Sequence, residues 1–345
     1  MNELFTSFQS NSKEEWEKVL LKELKGESLE SLMKVNKVEE IAFPSYYHPS
    51  DQKVSFSDPG KLPYTRGFFE NNNQWTIANS VRISSLKSTN ERILELLMTG
   101  TTHLILEAID EQPIDFSVLL NEVGMNYIHT SFYAKTKEQV EQFCAYAGDA
   151  PINICFDNNQ ELLHLPIKPT CKLFHIDASL VQFAGGTTWQ ELAIALSEGH
   201  EILVQLLDRG VSCDDACAQI HFTVGIGSKF YFEVSKIRAF RTAWSKIVSQ
   251  YDPTHTCSHA TSITAKTGWM TISLKDPYTN LLRQTTQALS ACVAGAQHIH
   301  VQAYDWFSTD ARTTFTQRMA TNISLLLQHE SYLGLVIDPE VERMH

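Results

Sequence analysis

The sequence predicts an α/β chain: a (β/α)8 TIM barrel preceded by an N-terminal helical arm and a proline-rich connector. Three observations carry that expectation. From residue 63 onward, short apolar runs suited to strands alternate with amphipathic helical patterns, eight of each. Such a βα rhythm demands a parallel sheet with helices outside it, and eight units favour closure over an open sheet. The chain has 345 residues, of which 43% are apolar and 20% charged, with 15 Gly and 11 Pro. That supplies core for one large barrel and excludes a low-complexity chain. The expected organisation is an arm and connector over residues 1–62, the barrel over 63–332 and a short tail over 333–345.

The elements follow in order. Ser12 caps a first helix and Glu15, three residues on, completes a capping box. Trp16, Val19, Leu20 and Leu24 keep helical spacing, and Gly26 ends the segment. Leu29, Leu32 and Met33 form a second short apolar pattern. Residues 43–63 carry Pro44, Pro49, Pro59 and Pro63 with few apolar side chains, and read as an extended connector. A helix of about three turns is marginal alone, so the arm packs on its own barrel or on a partner. Strands are expected at 75–83, 102–107, 127–132, 151–156, 172–178, 219–225, 262–266 and 297–302. Helices are expected at 89–99, 115–123, 137–147, 158–164, 188–208, 228–251, 277–294 and 313–330, the fourth with the poorest pattern. Phe232, Val234, Ile237, Ala239, Phe240, Trp244 and Val248 give the sixth a broad apolar face.

Composition narrows the partners. Forty acidic against 28 basic side chains give −12, a field that repels nucleic acid and anionic membranes. The longest uncharged stretch, 284–304, carries Gln, Thr, Ser and His throughout, so no membrane span is expected. The first 16 residues show no basic n-region and no apolar run, so no signal peptide is expected. Seven cysteines, at 144, 155, 171, 213, 217, 257 and 292, form no C-x-x-C and lie mostly in apolar segments. A reducing, cytoplasmic setting fits them better than a disulfide framework.

Working residues of a barrel stand at the C-terminal ends of its strands. His298 and His300 flank Ile299, so strand alternation puts both on one face. They are metal ligands or ordinary polar strand residues, and no third ligand stands at a recognisable spacing, so no metal site is expected. Asp214 and Asp215 are a carboxylate pair or helix-capping acids. Gly225-Ile226-Gly227 lacks the third glycine of a dinucleotide fingerprint, since position 230 is Phe, and a tight turn is its other meaning. No P-loop, G-x-S-x-G or H-E-x-x-H occurs. Tyr64-Thr65-Arg66-Gly67 precedes the first strand. An arginine beside an aromatic there holds a phosphate or carboxylate, or anchors structure.

Several motifs carry a resemblance. Glu14-Glu15-Trp16 through Leu24-Lys25-Gly26 opens it, followed by Pro63-Tyr64-Thr65-Arg66-Gly67 and Trp75-Thr76-Ile77. Next come Gly210-Val211-Ser212-Cys213-Asp214-Asp215, then Phe222, Gly225-Ile226-Gly227, Phe230, Phe232-Glu233-Val234, Lys236, Arg238-Ala239, Arg241 and Trp244. Thr267-Gly268-Trp269, Asp276-Pro277-Tyr278, Gln297, His300 and Arg318 to Asn322 complete it. On these residues the chain resembles the methylmalonyl-CoA mutase family nearly end to end. The resemblance implies a coenzyme-A thioester threaded through a (β/α)8 barrel. It also implies a separate C-terminal cobalamin-binding domain, and adenosylcobalamin as the radical source for interconverting methylmalonyl-CoA and succinyl-CoA. Tyr64, Thr65, Arg66 and Gly67 are then the expected substrate-binding residues.

The departures fall on chemistry. Catalytic members end the fifth strand in G-Y-H-M-Q-E-A-G-A; here Ser179 and Leu180 replace the Tyr-His pair. The family glutamine three residues before G-W is Ala265. The segment 68–74 is short and lacks the family's tyrosine, no D-x-H-x-x-G occurs, and residues 333–345 correspond to the start of the family's interdomain linker. No catalytic residue is therefore expected in this chain. The resemblance implies a small subunit that supports a catalytic large subunit in a heterodimer. The holoenzyme carries adenosylcobalamin and acyl-CoA, and this chain does not bind cobalamin tightly. The alternative is an active acyl-CoA mutase barrel working with a separate cobalamin-binding chain, and a third reading is a degenerate chain without a partner.

Overall fold

A computed structural model of the chain describes residues 11–51, 57–308 and 313–337. The chain divides into two compact units, residues 1–56 and 57–345.

The first unit begins with α1 (Lys13–Glu23). Its capping box is complete: Ser12 Oγ accepts from the Glu15 amide at 3.2 Å, and the Glu15 carboxylate accepts from the Ser12 amide at 3.0 Å. The helix stops at Leu24, and Gly26 follows with φ +105, a conformation open to glycine. No residue of α1 is buried, and Trp16 and Val19 are 42% and 60% exposed. The Trp16 ring packs on Tyr46, centroids 3.9 Å apart, and the Tyr46 hydroxyl donates to Glu17 at 2.7 Å. An antiparallel hairpin, β1 (Lys34–Asn36) and β2 (Ile41–Phe43), was not expected, and β2 reaches the first residue of the supposed connector. Its turn rests on Asn36, whose side-chain carbonyl accepts from the amides of Val38 and Glu39. Strands of three residues are too short to register as alternation.

The second unit is the barrel. Its strands are β3 (Thr76–Ile83), β4 (His103–Ala108), β5 (His129–Tyr133), β6 (Ile152–Cys155), β7 (Cys171–Lys172), β8 (Phe174–Asp177), β9 (Ile220–Ile226), β10 (Ser262–Thr267) and β11 (His298–His300). All pairings are parallel, in the order β7-β6-β5-β4-β3-β11-β10-β9-β8. The expected fifth strand is broken at Leu173. Its first part pairs with β6, Ile152 facing Cys171, and its second with β9, Phe174 facing Ile220. One run of chain is thus bonded to both neighbours, which carries the ring past its seam.

Helices surround the sheet: α2 (Leu86–Met98), α3 (Phe116–Leu119), α4 (Lys137–Ala147), α5 (Asn159–Leu162), α6 (Ser179–Phe183), α7 (Thr188–Asp208), α8 (Cys213–Ala218), α9 (Phe230–Val248), α10 (Thr279–Val293) and α11 (Thr314–Leu325). Two of these, α6 and α8, are single short turns additional to the eight expected. After α11 a π turn, Leu326–Glu330, leads to residues 333–337, where the Gly334 carbonyl accepts from the Asn73 amide at 3.0 Å.

Strand alternation sorts the side chains. Ile77, Leu104, Phe132, Ile154, Phe222, Val224, Ile263 and Ile299 point to the helices and are buried with Val234, Ile237, Phe240 and Trp244 of α9. Each such side chain contributes about 1.5–3 kcal/mol. At Gly199 of α7 a Cβ would lie 2.6 Å from the Phe222 ring, so glycine lets this helix approach β9. The opposite faces of the strands carry polar residues, and these line the interior.

Candidate functional site

The interior has two levels. At the C-terminal mouth, Arg82, Glu107, Tyr133, Lys135, Lys266 and His300 line a cavity of about 430 Å³. Arg82 Nε meets the Glu107 carboxylate at 3.4 Å. The Lys266 ammonium lies 5.5 Å from the Phe183 ring centroid and 5.9 Å from that of Trp269, a cation–π setting. Burial pushes the Tyr133 phenol and the Cys155 thiol upward, so both stay protonated at neutral pH.

Deeper in, the strands converge five imidazoles. The rings of His103, His129 and His298 lie 4.5–4.8 Å apart, centroid to centroid, with His129 and His298 stacked at 21°. His175 and His221 stack at 4.6 Å and 19°. Strand hydroxyls hold four of the contacts: Thr76 to His298 at 2.7 Å, Ser131 to His103 at 2.7 Å, Thr223 to His175 at 2.8 Å and Ser262 to His298 at 3.3 Å. Burial, then the neighbouring imidazoles, hold His103 well below the ordinary histidine range. Burial likewise lowers His298, His221 and His175, and takes His129 down to about 4. These rings are neutral at pH 7 and meet inside the barrel. Among the described residues no group of three His, Cys, Asp or Glu could hold a metal ion. His298 belongs to the stacked cluster, whereas His300 reaches the mouth.

Of the expected substitutions, Ser179 and Leu180 stand on α6, just past the C-terminal end of β8, and Ala265 lies within β10. Ser179 is fully buried, and its amide (3.1 Å) and hydroxyl both donate to Asp177, which leaves its hydroxyl turned back on the strand end. Leu180 is 57% exposed on the first turn of α6. Ala265 is buried in the sheet–helix core, and alternation turns it away from the axis; its neighbour Lys266 enters the mouth instead.

Tyr64 to Gly67 lies at the other end. Thr65 Oγ1 is 2.8 Å from Thr242 Oγ1 of α9. Gly67 donates to the Tyr64 carbonyl at 2.9 Å and accepts from the Gly60 amide at 3.1 Å. The segment passes against Gly295, in the α10–β11 turn on the N-terminal face, where Arg241 donates to the Ala294 carbonyl at 2.6 Å and the Gly295 carbonyl at 2.5 Å. Asp214 and Asp215 share that face. Asp215 exchanges hydrogen bonds with the N-cap Ser212, and Asp214 accepts from the amides of Thr254 and His255, both at 3.1 Å.

Gly225-Ile226-Gly227 is the closely packed end of β9, with Gly225 and Ile226 still in the strand. A Cβ at Gly225 or Gly227 would meet the Gln182 side chain at 2.7 Å. Behind it lies a charge cluster the sequence reading missed. Lys236 Nζ sits 2.7 Å from Glu191 and 2.6 Å from Glu233 and donates to the Gly225 carbonyl, while Glu191 accepts from the Gly225 amide at 2.6 Å. Burial pushes Glu191 up to about 7 against the pull of Lys236. The i,i+3 spacing of Glu233 and Lys236 was the available signal.

Comparison with known proteins adds context. The family profile described as methylmalonyl-CoA mutase matches residues 166–341. The methylmalonyl-CoA mutase small subunit of Porphyromonas gingivalis is 27% identical over 376 residues, covering 97% of this chain and 60% of the relative. The small subunit of Propionibacterium freudenreichii subsp. shermanii is 27% identical over 338 residues, covering 88% and 52%. Methylmalonyl-CoA mutase of Rhizobium meliloti is 34% identical over 159 residues, covering 46% and 22%. The chain thus spans at most 60% of the length of these relatives.

Proposed function

Because the chain belongs to the methylmalonyl-CoA mutase family, we propose that it is the barrel of a small, non-catalytic subunit that supports a catalytic large subunit in a heterodimer. The observation that carries this reading is the imidazole-filled axis. A mutase of this family threads an acyl-CoA through its barrel, and here His103, His129, His175, His221 and His298 stand in that path ring against ring, all buried except the partly buried His129. Displacing them takes apart a packed, hydrogen-bonded interior, which no flexible thioester tail repays.

The mouth supports the same reading. Ser179 has its hydroxyl engaged by Asp177, Leu180 carries no donor and Ala265 faces the helices. Each preorganised donor absent from such a site costs about 2.7–4 kcal/mol of transition-state stabilisation. The residues present do not fit adenosylcobalamin either. Four of the five imidazoles are stacked in two pairs inside the barrel, and the chain carries no D-x-H-x-x-G motif. The cofactor and the acyl-CoA belong to the large subunit in this account. The exposed apolar side chains of α1 are assigned to the contact with it, since Trp16 and Val19 keep 42% and 60% of their surface open.

The test is reconstitution. The purified chain, given adenosylcobalamin and methylmalonyl-CoA, is expected to form no succinyl-CoA. It is expected to co-purify with its large subunit and to raise the yield of active enzyme. Turnover by this chain with a separate cobalamin-binding chain would establish the alternative of an active barrel.

A further inference from the structure

We propose that Cys144 and Cys171 are a thiol pair that a low-molecular-weight disulfide converts into an intramolecular disulfide, joining α4 to the broken fifth strand. Their sulfurs are 3.8 Å apart. A disulfide bond is about 2.05 Å, so closure asks for about 1.8 Å of approach shared between two side chains. Reagent can reach them. A cavity of about 310 Å³ is lined by both cysteines with Leu165, Pro166, Lys168 and Glu141.

The surroundings distinguish the two thiols. Cys144 is partly exposed and Cys171 buried. The hydrogen bond between them lowers Cys144 and raises Cys171, with Lys168 helping and Glu141 opposing at Cys144. Lys168 is held in place by the carbonyls of Cys144 and Gly148, at 3.5 and 3.4 Å. Cys144 is therefore the attacking sulfur. Its thiolate attacks one sulfur of glutathione disulfide, and the S–S bond breaks to release one glutathione thiolate. The Cys171 thiol gives its proton to solvent and attacks the Cys144 sulfur of the mixed disulfide, releasing the second glutathione. Two protein thiols are oxidised, one external disulfide is reduced to two thiols, and the protein becomes lighter by two hydrogens.

The location gives the bond a consequence. Cys171 opens β7, the short strand facing Ile152 of β6, and the closed loop holds β6 and the four-residue α5, the least regular part of the ring. Oxidation ties that part to α4. The expected effect is a rise in Tm of several degrees and slower proteolysis over residues 156–170.

The experiment treats the whole chain with glutathione disulfide and maps its thiols by non-reducing peptide mass spectrometry. The exposed Cys257 serves as the internal control for reagent access. The expected product is a single cross-link between Cys144 and Cys171 with the Tm shift reversed by reductant. Cys171→Ala is expected to trap glutathione on Cys144, and Cys144→Ala to show no cross-link. Free thiols at both positions once Cys257 is modified, a stable glutathione adduct on either in the unmutated chain, or a different pairing such as Cys213 with Cys217 would overturn the proposal.

Discussion

His129 and His298 stack across the barrel interior with ring centroids 4.5 Å apart and planes at 21°. Two imidazoles in face contact tolerate no second proton, and both are held below the ordinary range by burial. Acid is therefore this barrel's weakness. A base whose folded pKa is lowered contributes stability that is present above its unfolded value and is lost as pH falls through the folded one. For His129 that window runs from about 6.5 down to about 4 and corresponds to about 3 kcal/mol. Denaturant titrations at pH 7, 5.5 and 4.5 should show steep loss. His129→Gln should flatten the slope in that window.

Lys236 Nζ lies within ion-pair reach of both Glu191 and Glu233, at 2.7 and 2.6 Å. Lys236→Met takes this counter-charge away from two buried carboxyls and should cost about 3–5 kcal/mol near pH 8. The sign with pH is opposite to that of the histidines. Glu191 is raised to about 7, so its contribution is complete below about 4.5 and lost as pH rises through 7. The gap between variant and parent should narrow on acidification, when the carboxyls take up protons. A gap that is constant from pH 5 to 8 would mean the cluster is not ionised as described.

Gly199→Ala tests helix–sheet packing. Its Cβ would stand 2.6 and 2.8 Å from Phe222 ring atoms and 3.0 Å from Trp244, both fully buried rings. Neither can yield without moving α9, so a loss of about 1–3 kcal/mol is expected from thermal or chemical unfolding.

The order of the barrel was legible because its local signals agree. α4 and α7 begin and end where the pattern placed them. Thr136 accepts from the Gln139 amide, and Thr187 forms a capping box with Gln190. The interior was not legible. Each histidine looked like one polar residue in a strand, and only register brings His103 beside His129 and His298 beside Thr76. A signal did exist: β4, β5 and β11 begin with histidine, and β8 and β9 have it second. The break at Leu173 and the short turns α6 and α8 left no periodic trace, since none spans two turns of apolar repeat. Tyr64 to Gly67 could be singled out by type, but not placed at the end of the barrel opposite the mouth.

The arm carries its own prediction. Deleting residues 1–43 should leave the barrel's Tm nearly unchanged and weaken association with the large subunit tenfold or more, about 1.4 kcal/mol per decade. A fall of several degrees in the isolated chain would mean that the arm stabilises its own barrel instead.

The central claim is that the axis of this barrel does not admit an acyl-CoA. Equilibrium dialysis of the purified chain against methylmalonyl-CoA tests it directly, with a variant carrying serine at His103, His129, His175, His221 and His298 alongside. The expected result is no saturable binding to the unmutated chain at millimolar ligand, and measurable binding once the five rings are gone. Micromolar, stoichiometric binding to the unmutated chain would contradict it.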